Sequence, residues 1–266
     1  MTLHIVVLAK QVPDPEGPPT SFEVDPEERR VTVRGIPPVV NPFDENALEA
    51  AIKLKETVGE VTITLLSAGN GISKAVILKA VAAGADASYL VDDPAFDPAS
   101  LDSHASAAVL AAVIERIGDY DLILCGRQAA DTNAGQVGLG LAHLLHIPAL
   151  TVAQSVEVAD GRAVVKKVMP DGYEKAEAPL PALITVSGEI GDLRYPSLAA
   201  IKAAKALPQT VLAASDLDVD VSGLSRVETV ALEAPSRERS CALIEADGPE
   251  EAGRMLAERL REDRVI

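Results

Sequence analysis

Tryptophan is absent from this 266-residue chain, and the aromatic residues come to three Phe and four Tyr. The core therefore has to be built from Ala, Val, Leu and Ile, a composition that suits helices packed on a parallel sheet. Cysteine is nearly missing as well: Cys125 and Cys241 are the only two, which excludes a disulfide framework or a cysteine-rich zinc site and fits a reducing, cytoplasmic setting. No apolar run approaches a membrane span, and the apolar stretch after Met1 is too short for a secretory signal, so the chain reads as soluble and unprocessed. Basic residues are outnumbered, 24 Lys and Arg against 40 Asp and Glu, for a formal net charge of −16. That balance argues against nucleic acid or an anionic membrane as the main partner. Also missing are a Gly-x-x-x-x-Gly-Lys-Ser/Thr loop, a Ser-His-acid or Cys-His constellation, and any acid at zinc spacing from His4, His104, His143 or His146. These absences count against a hydrolase or a metalloenzyme.

What is present is an alternation of buried strands and amphipathic helices. Residues 3–9 read as a strand buried on both faces. Residues 15–40, rich in Pro, Gly and charge, suggest a hairpin excursion with strands at 22–24 and 31–33. Asn41-Pro42-Phe43-Asp44 opens a helix, with Asn at the N-cap, Pro at the first helical position and acid in the first turn, and Gly59 ends it. Strands follow at 61–66 and 89–91, with a helix from the 67–71 turn to about Gly84 and an Ala-rich helix over 101–117. This run predicts an open parallel sheet with right-handed crossovers. Beyond Pro148 the pattern changes: Asp160-Gly161 joins two alternating segments as a hairpin, and residues 182–186 form another buried strand. Residues 188–200 read as an exposed loop and 209–240 as an extended arm, and 249–264 as a short helix with Ala252, Met255, Leu256 and Leu260 on one face. The fold class expected is α/β: an open, mostly parallel, doubly wound, Rossmann-like sheet over residues 1–208, followed by an arm and helix over 209–266.

The richest stretch lies at 121–142. Leu122, Ile123, Leu124 and Cys125 form a strand, Gly126 breaks it, residues to Gly135 are small or polar, and helical spacing returns with Val137, Leu139, Leu141, Leu144 and Leu145. A polar loop between a strand's carboxyl end and a helix's amino end is a phosphate site in waiting, because backbone N–H groups and the helix dipole favour an anion there. Cys125 reads as core, and His143 and His146 as cations near the end of that helix. Strand ends at Ala9, Ala68 and Gly126 should align along one sheet edge, so that Asn41, Asp44, Ala68 and the Gly126 loop converge on one cleft. A competing pattern, Gly69-Asn-Gly71 with Asp92 and Asp93 some way on, resembles a loosened dinucleotide fingerprint. Its third glycine is missing, and a plain turn explains it better.

Taken in order, several segments resemble the β subunit of electron transfer flavoproteins. They are residues 7–14 after the first strand, 41–55 from Asn41 to Lys55, Gly126-Arg127-Gln128-Ala129-Ala130-Asp131 with Gln136-Val137-Gly138, the Asp171-Gly172-Tyr173-Glu174 turn before 181–186, and Leu193-Arg194-Tyr195-Pro196-Ser197-Leu198. They span nearly the whole length. The resemblance implies an adenine nucleotide α-hydrolase-like sheet and a heterodimer in which an α subunit holds most of the FAD-binding surface. It implies a structural AMP in the β subunit, held near Leu8, Asn41, Pro42, Phe43, Asp44, Ala68, Gly126, Arg127, Gln128, Ala129, Ala130, Asp131, Thr132, Asn133, Ala134, Gly135, Gln136 and Val137, largely through backbone groups. It further implies a partner-recognition loop over 188–200, with Tyr195, Pro196, Ser197 and above all Leu198 as the apolar anchor, and a C-terminal arm packed on the α subunit.

Electrons would pass by tunnelling from an acyl-CoA or related flavin dehydrogenase to FAD and on to a quinone-linked oxidoreductase, so that no residue of this chain needs to be a catalytic acid or base. Two departures bear on the ligand. The loop reads Asp131-Thr132-Asn133-Ala134-Gly135 where AMP-binding members carry an acid-rich segment, and Ala134 stands where bifurcating members, which hold a second FAD in place of AMP, carry Thr. The alternatives are thus a bifurcating-type subunit with two flavins per heterodimer, and a stand-alone adenine-nucleotide-binding module.

Overall fold

Nine strands form the main sheet of the computed structural model, which describes residues 2–97, 100–220, 223–235 and 241–266. They are β1 (Leu3–Leu8), β2 (Val61–Gly69), β3 (Ala87–Asp92), β4 (Leu122–Gly126), β5 (Ala149–Ala159), β6 (Arg162–Met169), β7 (Gly172–Pro179), β8 (Ala182–Val186) and β9 (Gln209–Leu212). Across the sheet the order is β7-β6-β5-β8-β4-β1-β2-β3-β9. Every pairing from β5 to β9 in that order is parallel, while β5, β6 and β7 make an antiparallel meander. The open, mostly parallel α/β sheet anticipated from the strand and helix pattern is the fold observed.

The described residues form six α-helices: α1 (Pro42–Val58), α2 (Lys74–Gly84), α3 (Ser103–Ile117), α4 (Val137–Leu144), α5 (Leu198–Ala204) and α6 (Pro249–Glu262). Successive side chains of a strand point to opposite faces, and β1 shows the consequence. Ile5 and Val7 join the core under α1 and α2, whereas Val6 and Leu8 join the core under α3 and α4. Sandwiched between layers, the central strands are mainly apolar, with Leu122, Ile123 and Leu124 all fully buried. Small residues set the close spacing. A Cβ on Gly138 of α4 would stand 2.8 Å from the Cys125 sulfur, and one on Gly140 would stand 3.2 Å from Ala107 of α3.

The chain runs outward from β1 through β2 to β3 and then returns to place β4 on the other side of β1. That reversal opens a crevice between the carboxyl ends of β1 and β4, the usual place for a ligand in an open α/β sheet. The hairpin excursion pairs Phe22–Asp25 with Arg30–Val33, as its alternating pattern suggests.

Three local readings are corrected. The arm expected from residue 209 begins with β9, which pairs with β3 and completes the sheet; its alternation covers four residues, too few to stand out from polar surroundings. The 67–71 turn starts later, since β2 continues to Gly69. Residues 172–179 form a third meander strand, β7, whose solvent-facing residues hide its period. The 188–200 loop is exposed over most of its length, with Ile190 buried and Leu193 packed on the core. Compact units run Met1–Leu232 and Glu233–Ile266, so the first continues past the boundary expected at 208. In the second unit, α6 starts with Pro249 at its first position and is laced by Arg254 to Glu251 at 2.6 Å and to Glu258 at 2.5 Å. No helix among the described residues is long and apolar enough to cross a membrane.

Candidate functional site

The crevice at the β1/β4 switch point is a cavity of about 1190 Å³. Its floor is made by strand ends: Leu8 of β1, Leu66 and Ala68 of β2, and Cys125 and Gly126 of β4. One wall is the loop from Arg127 to Gln136 and the start of α4, whose first-turn N–H groups have no partner inside the helix. The opposite wall is the start of α3, from Asp102 to Ser106. Lys10, Arg29, Arg127 and Arg226 line this space together with Glu28, Asp44, Asp102 and Glu228, and Lys10 and Arg29 are paired with Asp131 and Glu228. An anionic group is favoured locally, at the uncapped start of α4.

The residues at 41–44 hold the site together from beneath. Asn41 stands at the N-cap of α1, but its side chain makes no cap bond. Instead its Nδ2 donates to the Gln128 carbonyl at 2.9 Å, and its Oδ1 accepts from the Ala130 N–H at 3.0 Å. The helix-capping role read for Asn41 is thus replaced by a tie to the loop, because the loop's buried backbone groups need partners more than the exposed alternative of water would provide. Asp44 accepts from the Lys10 N–H at 2.8 Å and from the Gly126 N–H at 2.9 Å, fastening the ends of β1 and β4 to the first turn of α1. Burial raises its pKa to about 6, against the pull of those N–H donors, the Asn41 side chain and the Lys10 charge. Phe43 lies under the Arg127 guanidinium, 5.0 Å from ring centre to charge.

The loop is braced further by Lys10 Nζ on Asp131 at 2.7 Å and by Gln128 Nε2 on Asn133 Oδ1 at 2.7 Å. Asn133 and Gly135 adopt left-handed backbone, φ 51° and 63°, conformations that Asn and Gly accept most readily. At Cys125, burial and then the nearby Asp44 charge push the thiol well above its ordinary range, so it is a floor residue and no nucleophile.

Of the expected ligand-site residues, Leu8, Asn41, Asp44, Ala68, Gly126, Arg127, Gln128, Ala129, Thr132, Ala134, Gly135, Gln136 and Val137 line the cavity. Pro42, Phe43, Ala130, Asp131 and Asn133 are not in that lining; Phe43, Ala130, Asp131 and Asn133 contact residues that are. Sequence reasoning missed Arg29, Phe96, Asp102, His104 and residues 225–229, which complete the opposite side. A helix start at Asp102-Ser103 was legible as an Asp N-cap; the chain that crosses it from residue 225 onward carries no local signal.

The Gly69-Asn-Gly71 pattern takes no part. Asp92, the acid a dinucleotide fingerprint would place on a ribose, accepts from the Gly71 and Ile72 N–H groups at 2.7 and 3.2 Å and so closes its own turn. Among the described residues no cluster of His, Cys, Asp or Glu is placed to hold a metal ion.

Away from the cleft, α1 also grips the loop after β8. Asn46 Nδ2 donates to the Gly191 carbonyl at 2.8 Å, Lys53 Nζ to Ile190 O at 2.5 Å, and Arg194 Nη2 pairs with the buried Glu49 at 2.7 Å while reaching Glu56 as well. Desolvation works against the Glu49 charge, but Arg194 outweighs it and lowers the carboxyl pKa. Leu193 turns inward against the core. Tyr195 and Leu198 point out, 92% and 87% exposed. Leu198 begins α5, which Ser197 caps through the Ala200 N–H at 3.1 Å. The tip is presented by a rigid base.

Residues 31–217 match the model of the electron transfer flavoprotein domain, a span that contains most of this cleft and the whole pinned loop. The chain belongs to the electron transfer flavoprotein β-subunit family. It is 37% identical over 269 aligned residues to an electron transfer flavoprotein subunit beta from Thermoanaerobacterium thermosaccharolyticum, covering 99% of this chain and all of that one. A subunit of the same description from Megasphaera elsdenii is 34% identical, covering 94% of each chain. Subunit CarD of a caffeyl-CoA reductase-Etf complex from Acetobacterium woodii is 33% identical, covering 99% of this chain and all of that one. Membership makes this β subunit part of an electron-transfer flavoprotein system.

Proposed function

We propose that this β subunit pairs with an α subunit that holds most of the surface for FAD. The pair takes electrons from acyl-CoA or related flavin dehydrogenases and hands them to a quinone-linked oxidoreductase, in the cytoplasm, with the chain itself a carrier and not an enzyme. In the cleft, AMP is bound as a structural ligand. The observation that carries this reading is the crevice at the β1/β4 switch point, where an uncapped helix start meets a loop of braced backbone groups at the strand ends.

Of the four carboxylates in the lining, Asp44 and Asp102 are engaged by backbone N–H groups and Glu228 by Arg29, which suits a binding role over acid–base work. Loop residues Arg127 to Gln136 and the start of α4 would hold the phosphate, while Asn41 and Asp44 keep the loop in place. FAD supplies the redox chemistry; this chain's own residues bind, orient and present a docking tip. Tyr195, Pro196, Ser197 and Leu198 would recognise the dehydrogenase, with Leu198 as the inserted anchor. The second unit, with the exposed Met255 and Leu256 of α6, would pack on the α subunit.

A second FAD in place of AMP is favoured by one observation, the volume. About 1190 Å³ exceeds the roughly 300–1,000 Å³ usual for small-molecule pockets and leaves room for a dinucleotide. Purifying the heterodimer, denaturing it and quantifying what it releases separates the readings. One FAD with one AMP supports AMP in the cleft, two FAD and no AMP supports the bifurcating-type subunit, and no adenine nucleotide beyond a single FAD refutes both.

A further inference from the structure

We infer that residues 225–229 are the closing wall of the nucleotide cleft and that Asp102 and Arg29 are the positioning residues that fasten it. This rests on the cleft being a nucleotide site. The segment lines the cavity beside the start of α3, and its attachment to the body is polar. The Asp102 carboxylate accepts from the N–H groups of Arg226 and Val227 at 2.5 and 2.9 Å while also capping α3 through the Ala105 N–H at 2.8 Å. Ser225 Oγ accepts from the Asp102 N–H at 3.3 Å and donates to the Ser100 carbonyl at 3.1 Å. From the other flank, Arg29 at the hairpin tip donates to the Thr229 carbonyl at 2.5 Å and pairs with Glu228 at 3.2 Å. Arg29 adopts left-handed backbone, φ 51°, a conformation most side chains avoid.

Apolar packing does not hold the wall. Val227 and Val230 are 74% and 82% exposed, so nothing like a core contact has to be broken for the segment to lift. A wall held by the polar contacts of Asp102, Ser225 and Arg29 can open without disturbing the sheet, and when closed it brings Arg226 into the cavity lining. The proposed role is therefore to slow escape of a bound nucleotide, with Asp102 acting through backbone N–H groups and never touching the ligand's reacting atoms.

The test uses the full-length heterodimer loaded with radiolabelled AMP, or with FAD, and chased with excess unlabelled nucleotide. Asp102→Ser keeps an N-cap for α3 but is too short to reach residues 226 and 227. Release is expected to accelerate by about tenfold or more, the loss of charge-assisted bonds to the segment, with the melting temperature of the nucleotide-free heterodimer unchanged. Arg29→Gln, on an exposed hairpin, is expected to accelerate release severalfold, and amide exchange at Arg226 and Val227 should slow when nucleotide binds. Wild-type release rates in both variants, or faster release only in step with a lower melting temperature of the nucleotide-free form, would overturn the assignment. A wild-type heterodimer that retains neither AMP nor FAD in this cleft sinks the nucleotide reading itself, an outcome distinct from failure of the wall.

Discussion

Gly126 sits where the first turn of α1 meets the end of β4, and adding one methyl group there tests whether that contact shapes the site. A Cβ at Gly126 would lie 2.5 Å from Phe43 Cβ, 2.6 Å from the Phe43 carbonyl carbon and 2.8 Å from Asp44 Oδ1. Two of these neighbours belong to or adjoin backbone, so no flexible side-chain end can swing aside; α1 itself has to move. Forcing a methyl into a packed contact costs about 1–3 kcal/mol, and weakening the bond from the Gly126 N–H to the buried Asp44 adds about 1–2 kcal/mol. A loss of roughly 2–5 kcal/mol corresponds to a melting temperature lower by roughly 4–10 °C in a chain of this size. Because Asp44 and Asn41 share that turn, nucleotide retention should fall with it. Gly253 in α6 is the control: nothing lies within 4 Å of its Cβ position, so Gly253→Ala should be neutral or stabilise the helix by up to about 1 kcal/mol. Thermal melting of the two variants in the heterodimer, with released nucleotide quantified, decides the matter. A Gly126→Ala protein that melts with the wild type and keeps its nucleotide would refute the reasoning.

The other expectations concern the remaining anchors. Asp44 titrates near 6 in the folded chain against an ordinary 3.8, so between those values the folded state binds more protons. Its stabilising contribution is full below about pH 4 and is lost as pH rises through about 6, by up to about 3 kcal/mol. Urea midpoints of wild type minus Asp44→Asn should accordingly fall across that window, and a flat difference would contradict the burial argument. Asn41→Ala should leave the Gln128 and Ala130 backbone groups unpaired and cost about 1–3 kcal/mol, seen as weaker nucleotide retention with β-sheet content intact in circular dichroism. Arg194→Ala should expose the 188–197 loop to limited proteolysis while the rest of the chain resists; equal cleavage rates would show that Glu49 and Glu56 do not hold it. Leu198→Ala, at an exposed tip, should lower the rate of electron transfer from a dehydrogenase and leave melting unchanged, and unaltered rates would remove the anchor.

Much of this protein could be read from local patterns. Largely apolar runs at 3–9 and 122–125 marked strands covered on both faces, the Asn41-Pro42 opening and Gly59 bounded α1, and Asp160-Gly161 marked a hairpin, because each rests on chemistry confined to a few neighbouring residues. The stretch at 121–142 disclosed a strand, a loop and a helix start, and hence one wall of the cleft. Strand β9 escaped notice because four residues give little period, and β7 because its faces are mostly wet. What only the tertiary structure decided are the long-range partners. Asn41 gives up its cap to hold Gln128 and Ala130, Asp44 ties β1 to β4, Arg194 locks onto α1 across 145 residues, and Asp102 takes the chain at 226 and 227. None of these pairings is encoded by spacing. They follow from which buried donors and acceptors the sheet order brings together, and that order is set only when the whole chain has packed.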